Sequence, residues 1–218
     1  EADRRAKALL DDVCADDRQD APTARVFEDE AHQDEIWRVR ESGLGATSRV
    51  PDMDDTWPGW EDSAVPPERL GDYLADLGEL LDEYGYGKAS RYGHFGEGCL
   101  HLRLPFDLVR AEGVADFREF VGRAARLVTD YGGSLSGEHG DGLVRSEFHE
   151  PMYGRRTVEI FETVKDRFDP SSVMNPGKIV RAPRMDDRTL FRYGPDYAVP
   201  EIETTLDWSD YTGAGGGF

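Results

Sequence analysis

Apolar residues recur along this chain with two periods, and the switch between them separates helices from strands. From Pro67 to Tyr84 the apolar positions are Leu70, Tyr73, Leu74, Leu77, Leu80, Leu81 and Tyr84. This three-and-four spacing makes one helix stripe. A second stripe runs from Val114 to Tyr131 through Phe117, Phe120, Val121, Ala124, Leu127 and Val128. Glycine follows each helix, at Gly85 and Gly132, where a left-handed cap is commonly required. Shorter helices are predicted around Ala6–Val13, over Glu35–Ser42, and over Arg155–Phe168, where Val158, Phe161, Val164 and Phe168 form a stripe expected to pack into the core. Period two marks strands at Thr23–Glu28, Lys88–Tyr92, Cys99–Leu104 and Gly142–Arg145. Strands separated by amphipathic helices, with a hairpin-like pair flanking Gly93–Gly98, predict an α+β fold in which helices cover one side of an antiparallel sheet. After Arg181 the periodicity fades, and residues 181–218 read as an extended tail or linker after a domain spanning 1–180.

The stretch GHFGEGCLHLRL places chemistry on this scaffold. His94 and His101 lie seven residues apart, a spacing that would stack them on a helix, but Gly93, Gly96 and Gly98 oppose helix formation by up to about 1 kcal/mol each. From Cys99 onward, Leu100, Leu102 and Leu104 face one way, while Cys99, His101 and Arg103 face the other, the expected polar side of a half-buried strand. The glycine loop can fold His94 back toward His101. In GGSLSGEHGDGLV, Glu138 and His139 sit between Gly137 and Gly140, where backbone can pass close to a ligand. On extended backbone the two side chains would diverge, one toward a metal and one toward a substrate. Two histidines and a carboxylate form the three-ligand set that catalytic metals use, but no spacing in the sequence forces Glu138 against His101.

Composition narrows the partners. Among 218 residues, 45 are acidic and 26 basic, a formal charge of −19. Nucleic acid and anionic membrane surfaces are therefore disfavoured, since both need clustered Lys and Arg. Cys14 and Cys99 lack CxxC spacing, so the chain encodes neither a disulfide framework nor an iron–sulfur cluster. A reducing, cytoplasmic setting is expected. No apolar run reaches the ~20 residues of a transmembrane segment. The chain opens at Glu1 within a predicted helix and is expected to be a piece of a longer protein.

The segments RYGHFGEGCLHLRL, GGSLSGEHGDG and DPSSVMNPGKI, in that order, resemble the C-terminal domain of FAD-linked oxidases of the vanillyl-alcohol oxidase superfamily, in the D-lactate, glycolate and D-2-hydroxyglutarate dehydrogenase branch. The resemblance runs from about Glu28 to Val180 and implies a ferredoxin-like cap domain. It implies that His94, His101 and Glu138 hold a divalent metal such as zinc, manganese or iron, and that His139 is the catalytic base. WRVRESG resembles the family stretch whose arginine grips the substrate carboxylate, which nominates Arg40. NPGKI resembles the segment returning to the flavin domain, so Asn175 and Lys178 would touch FAD bound by a domain N-terminal to this chain. Glu97 and Cys99 stand where the family commonly has Asp and Asn, and no lysine occurs near Trp60, where some relatives carry one. FRYGPDYAVPEIETTLDW resembles the join to a following 4Fe-4S domain. The implied activity is oxidation of a small 2-hydroxy acid to a 2-oxo acid with hydride transfer to FAD. A metal-dependent hydrolase or a non-enzymatic metal-binding module would use the same three ligands.

Overall fold

The computed structural model describes residues 1–14, 25–48, 50 and 53–191. It divides into two compact units, Glu1–Thr47 and Ser48–Phe218. The first contains α1 (Ala2–Cys14) and α2 (Glu30–Glu41), while α3 (Gly43–Ser48) ends at the boundary. Asp29 caps α2, its carboxylate accepting from the His32 N–H at 3.1 Å. The strand expected at Thr23–Glu28 does not form within residues 25–28, and Thr23 and Ala24 lie outside the described residues.

The second unit is α+β. Its strands are β1 (Asp62–Ala64), β2 (Arg91–Tyr92) and β3 (Cys99–Leu102), antiparallel in the order β1-β3-β2. Helix α4 (Leu70–Glu83) follows β1, and α5 (Ala111–Asp130) follows β3. Ser134, just beyond α5, makes one antiparallel bridge to Ala64 on the outer side of β1. The path is thus β-α-β-β-α with a vestigial fourth strand, the ferredoxin-like arrangement. Gly142–Arg145, expected as a strand, forms turns instead, and β1 was not anticipated, because DSA is too short to show a period.

The core lies between the sheet and the two long helices. Tyr73, Leu77 and Leu81 from α4 and Phe120, Val121 and Val128 from α5 are fully buried with Leu100, Leu102 and Leu104. The glycine stops hold as expected, with Gly85 at φ +76° and Gly132 at φ +73°. The other face of β3 departs from the half-buried expectation: Cys99 and His101 are as covered as the leucines, because residues after α5 lie over them.

Helix α6 (His149–Tyr153) leads into α7 (Arg155–Phe168), which has the expected limits but not the expected packing. None of its residues is buried, and Val164 and Phe168 are 51% and 80% exposed. Its stripe therefore belongs to the surface of this unit. Past Arg181 the chain stays packed, with Met185 in the core and Asp186 bonded to Arg118 of α5 at 3.2 Å. Residues 192–218, most of the expected tail, lie outside the described residues.

Candidate functional site

The β2–β3 connection carries His94 back over β3. Phe95–Glu97 form a single 3-10 turn, and the His94 carbonyl accepts from the N–H groups of Glu97 and Cys99 at 2.9 and 3.1 Å. Gly98 closes the turn at φ +73°, and a Cβ there would collide with the Val65 carbonyl. The His94 and His101 rings meet edge to face, 5.8 Å between centroids. On the central strand, His101 pairs with Asp62 on one side and Tyr92 on the other.

Glu138 arrives from the loop after α5. Its Oε1 lies 2.8 Å from His101 Nε2 and 3.4 Å from His94 Nε2. Gly137 is needed for this approach, since a Cβ would sit 2.7 Å from Cys99 Sγ. The loop bends rather than extends, so Glu138 and His139 do not diverge as sequence alternation suggested. Instead His139 stacks on His101, with centroids 4.9 Å apart and planes within 5°, and its Nε2 is 3.7 Å from Glu138 Oε1. All four side chains face one centre.

Two residues that the sequence reading passed over hold this arrangement. Asp62 is buried, and its carboxylate accepts from Ser136 Oγ at 2.5 Å, from the His139 N–H at 2.7 Å and from the Glu138 N–H at 3.1 Å. Burial alone would raise its pKa, but these bonds, led by the one from Ser136, outweigh it and hold the carboxyl below its ordinary value. Glu61 supports both imidazoles of the central stack. Its backbone carbonyl is 3.1 Å from His101 Nδ1, and its Oε1 is 2.9 Å from His139 Nδ1. The Glu61 hydrogen bond, against an opposing effect of burial, raises the His139 pKa. Neither residue has a sequence signal, because the contacts cross 40 positions or more.

The donors fit a divalent cation. A carbonyl only accepts, so His101 Nδ1 carries a proton donated to Glu61, and Nε2 on the other side of the ring faces the Glu138 carboxylate at 2.8 Å. A backbone carbonyl behind the imidazole is the usual support of a metal-ligating histidine. Asp62, His101, Glu138 and His139 also offer ligand atoms within 4.8 Å of one another. That group contains Asp62 and His139 rather than His94; Asp62 already accepts from Ser136, from the Glu138 and His139 N–H groups and from the Cys99 thiol, and His139 Nδ1 is held by Glu61.

Beside this cluster a cleft of about 360 Å³ is lined by Ala64, His94, Glu97, Cys99, Gly137 and Glu138. Burial, reinforced by the Asp62 charge, pushes the Cys99 thiol up to about 12, so it remains protonated near neutrality. Arg40 lies on α2 and belongs to the first unit, whereas His94, His101 and His139 belong to the second. Asn175 and Lys178 flank an exposed Pro-Gly turn and make no hydrogen bond or ion pair with the cluster among the described residues. The segment after them is anchored to the site loop through a residue missed in the sequence. His149, buried, contacts the Ile179 carbonyl through Nδ1 at 3.1 Å and Asp141 Oδ2 through Nε2 at 2.8 Å.

The family model described as FAD linked oxidases, C-terminal domain, matches residues 1–179. The chain belongs to that family. This FAD-linked oxidase C-terminal domain is 34% identical over 173 residues to a D-2-hydroxyglutarate dehydrogenase of Haemophilus influenzae, an alignment covering 78% of the chain and 16% of the relative. It is 32% identical over 182 residues to the D-2-hydroxyglutarate dehydrogenase of Escherichia coli K12, covering 81% and 18%. Against the glycolate oxidase subunit GlcD of the same organism it is 30% identical over 162 residues, covering 72% and 31%. The chain thus spans less than a third of each of these relatives. Among the described residues no helix is long and apolar enough to cross a membrane.

Proposed function

We propose that this domain is the substrate- and metal-binding part of an FAD-dependent 2-hydroxy acid dehydrogenase, with the flavin held by an N-terminal domain of the same protein. The observation that carries the reading is the convergence of His94, His101 and Glu138, with His139 stacked beside them. Family membership favours flavin-linked oxidation over the hydrolase that the same ligands would serve. His94 Nε2, His101 Nε2 and the Glu138 carboxylate would hold zinc, manganese or iron, with the protonated Nδ1 of His101 fixed on the Glu61 carbonyl. A metal there supplies Lewis acidity, which lowers the pKa of a hydroxyl brought to it. His139 is the base. Its Nδ1–H is donated to Glu61, which leaves Nε2 to take the hydroxyl proton. Arg40 grips the substrate carboxylate, and Asn175 and Lys178 meet the flavin domain. FAD held by the N-terminal domain would supply the acceptor for the α-hydrogen and its electron pair, and the product would be the 2-oxo acid. Residues beyond 191 lead toward a following 4Fe-4S domain that would carry electrons away from the flavin.

Elemental analysis and flavin-reduction kinetics test these roles. Zinc-loaded parent is expected to retain one equivalent that His101→Ala and Glu138→Ala lose and His139→Ala keeps. In the flavin-containing protein, His139→Ala should reduce flavin about 10²- to 10⁴-fold more slowly, the usual contribution of a general base. Unchanged zinc stoichiometry in His101→Ala would overturn the ligand assignment. A His139→Ala rate within about threefold of parent would remove His139 as the base.

A further inference from the structure

The helical turn Ser146–Phe148 runs straight into α6, so Ser146 and His149, three residues apart, project to one side. Both are buried, at 6% and 2% exposure, and each reaches two ways. Ser146 Oγ donates to the Gly142 carbonyl at 2.5 Å and accepts from the Ile179 N–H at 3.0 Å. His149 Nδ1 donates to the Ile179 carbonyl, while its Nε2 lies against Asp141 Oδ2. Both backbone polar groups of Ile179 therefore end on this turn. The same two side chains hold Asp141 and Gly142, just beyond His139 in the chain.

The clamped residue sits in a conformation it would not choose. Ile179 has φ +67°, and a β-branched residue in the left-handed region costs about 1–2 kcal/mol. Its side chain is 43% exposed and lies outside the hydrophobic core. The two bonds, with the buried Val180 beside them, hold the backbone there. Strain of this kind persists only where the surroundings over-determine the chain.

We propose that Ser146 and His149 are positioning residues that tie the segment Asn175–Ile179 to the loop carrying the base. This inference rests on the proposed function, in which Asn175 and Lys178 meet the flavin domain and His139 takes the hydroxyl proton. The clamp then joins the two surfaces between which the acid must sit. One end fixes the residue after Lys178, and the other fixes the loop after His139. Transfer between two held partners is steep in geometry, and a displacement of about 1 Å can cost about 10²-fold in rate. Ser146 and His149 act through the backbone they hold and leave the chemistry to others.

Stopped-flow reduction of the flavin-containing protein by short racemic 2-hydroxy acids tests the clamp, with the limiting rate and the acid's Kd read separately. Asparagine places an amide N–H near the position of Nδ1, and glutamine places one near that of Nε2. His149→Asn should thus keep the Ile179 bond, and His149→Gln the Asp141 contact. A clamp needs both ends. Each variant is expected to lose about 10- to 100-fold in limiting rate, with zinc stoichiometry unchanged and Kd within about threefold of parent. Ser146→Ala, the smaller change, should lose rate in the same way and serves if the His149 variants do not fold. Limiting rates within about threefold of parent, even with lowered melting temperatures, would overturn the proposal and leave both residues as stabilising contacts. A loss confined to Kd would overturn it as well. A parent protein that binds no zinc, or whose flavin none of these acids reduces, would be a different result, overturning the proposed function and this inference with it.

Discussion

A single buried carboxylate, Asp62, decides whether the loop carrying Glu138 and His139 can hold its shape. It accepts from one hydroxyl and two backbone N–H groups at once while its own side chain is shut off from solvent. In Asp62→Asn the amide NH₂ must face a donor, leaving the buried NH₂ and at least one of the present donors without an acceptor, at a cost of about 1–3 kcal/mol. The loop also supplies Glu138, and supports of this kind typically contribute 10- to 100-fold to metal affinity. Asp62→Asn is therefore expected to lower the melting temperature and to weaken zinc binding by that factor in competition titrations. Parent-like zinc affinity would show that Glu138 is placed without help from Asp62. Glu61 works at the same scale, turning His101 through its carbonyl and His139 through its carboxylate.

At the scale of elements, α5 and α7 have similar apolar stripes and opposite fates. Phe120 on α5 is fully buried against Tyr84, Tyr86 and Phe106, with ring centroids 5.4 to 5.7 Å away. Val164 on α7 is half exposed. Phe120→Ala should cost about 3–5 kcal/mol in denaturant unfolding, through lost burial and the cavity left behind. Val164→Gln should stay within about 0.5 kcal/mol of parent, as surface substitutions do. A loss above about 1 kcal/mol for Val164→Gln would mean that α7 has a covered face in solution. The periodicity marked both helices correctly, yet could not tell which stripe found a partner, because amphipathicity records only that a face is apolar.

Over the whole molecule the dominant feature is the net charge of −19, which loads the folded state with self-repulsion. Local pairs such as Arg181–Asp166 and Lys165–Asp169 relieve it only in places. Screening the excess should stabilise the fold, so the melting temperature is expected to rise between about 20 mM and 300 mM KCl, as the Debye length falls below typical charge separations. A flat or falling melting temperature would show that attractive pairs outweigh the net repulsion.

The sequence by itself determined the local elements and the chemistry available. The leucine–tyrosine stripe of α4, the phenylalanine–valine stripe of α5, the glycine stops and the hairpin around Gly98 follow from side-chain period and backbone freedom, which are properties of neighbours along the chain. The candidate residues His94, His101, Glu138 and His139 were also legible, from ordered motifs that resemble a known family. Tertiary structure alone decided what those residues meet. The short β1 strand, the bend that turns Glu138 and His139 toward one centre, and the support from Asp62 and Glu61 depend on contacts between positions 35 to 78 apart. Contacts at that range are fixed by sheet register and core packing, and hydrophobic periodicity holds no record of which distant polar group will lie opposite another.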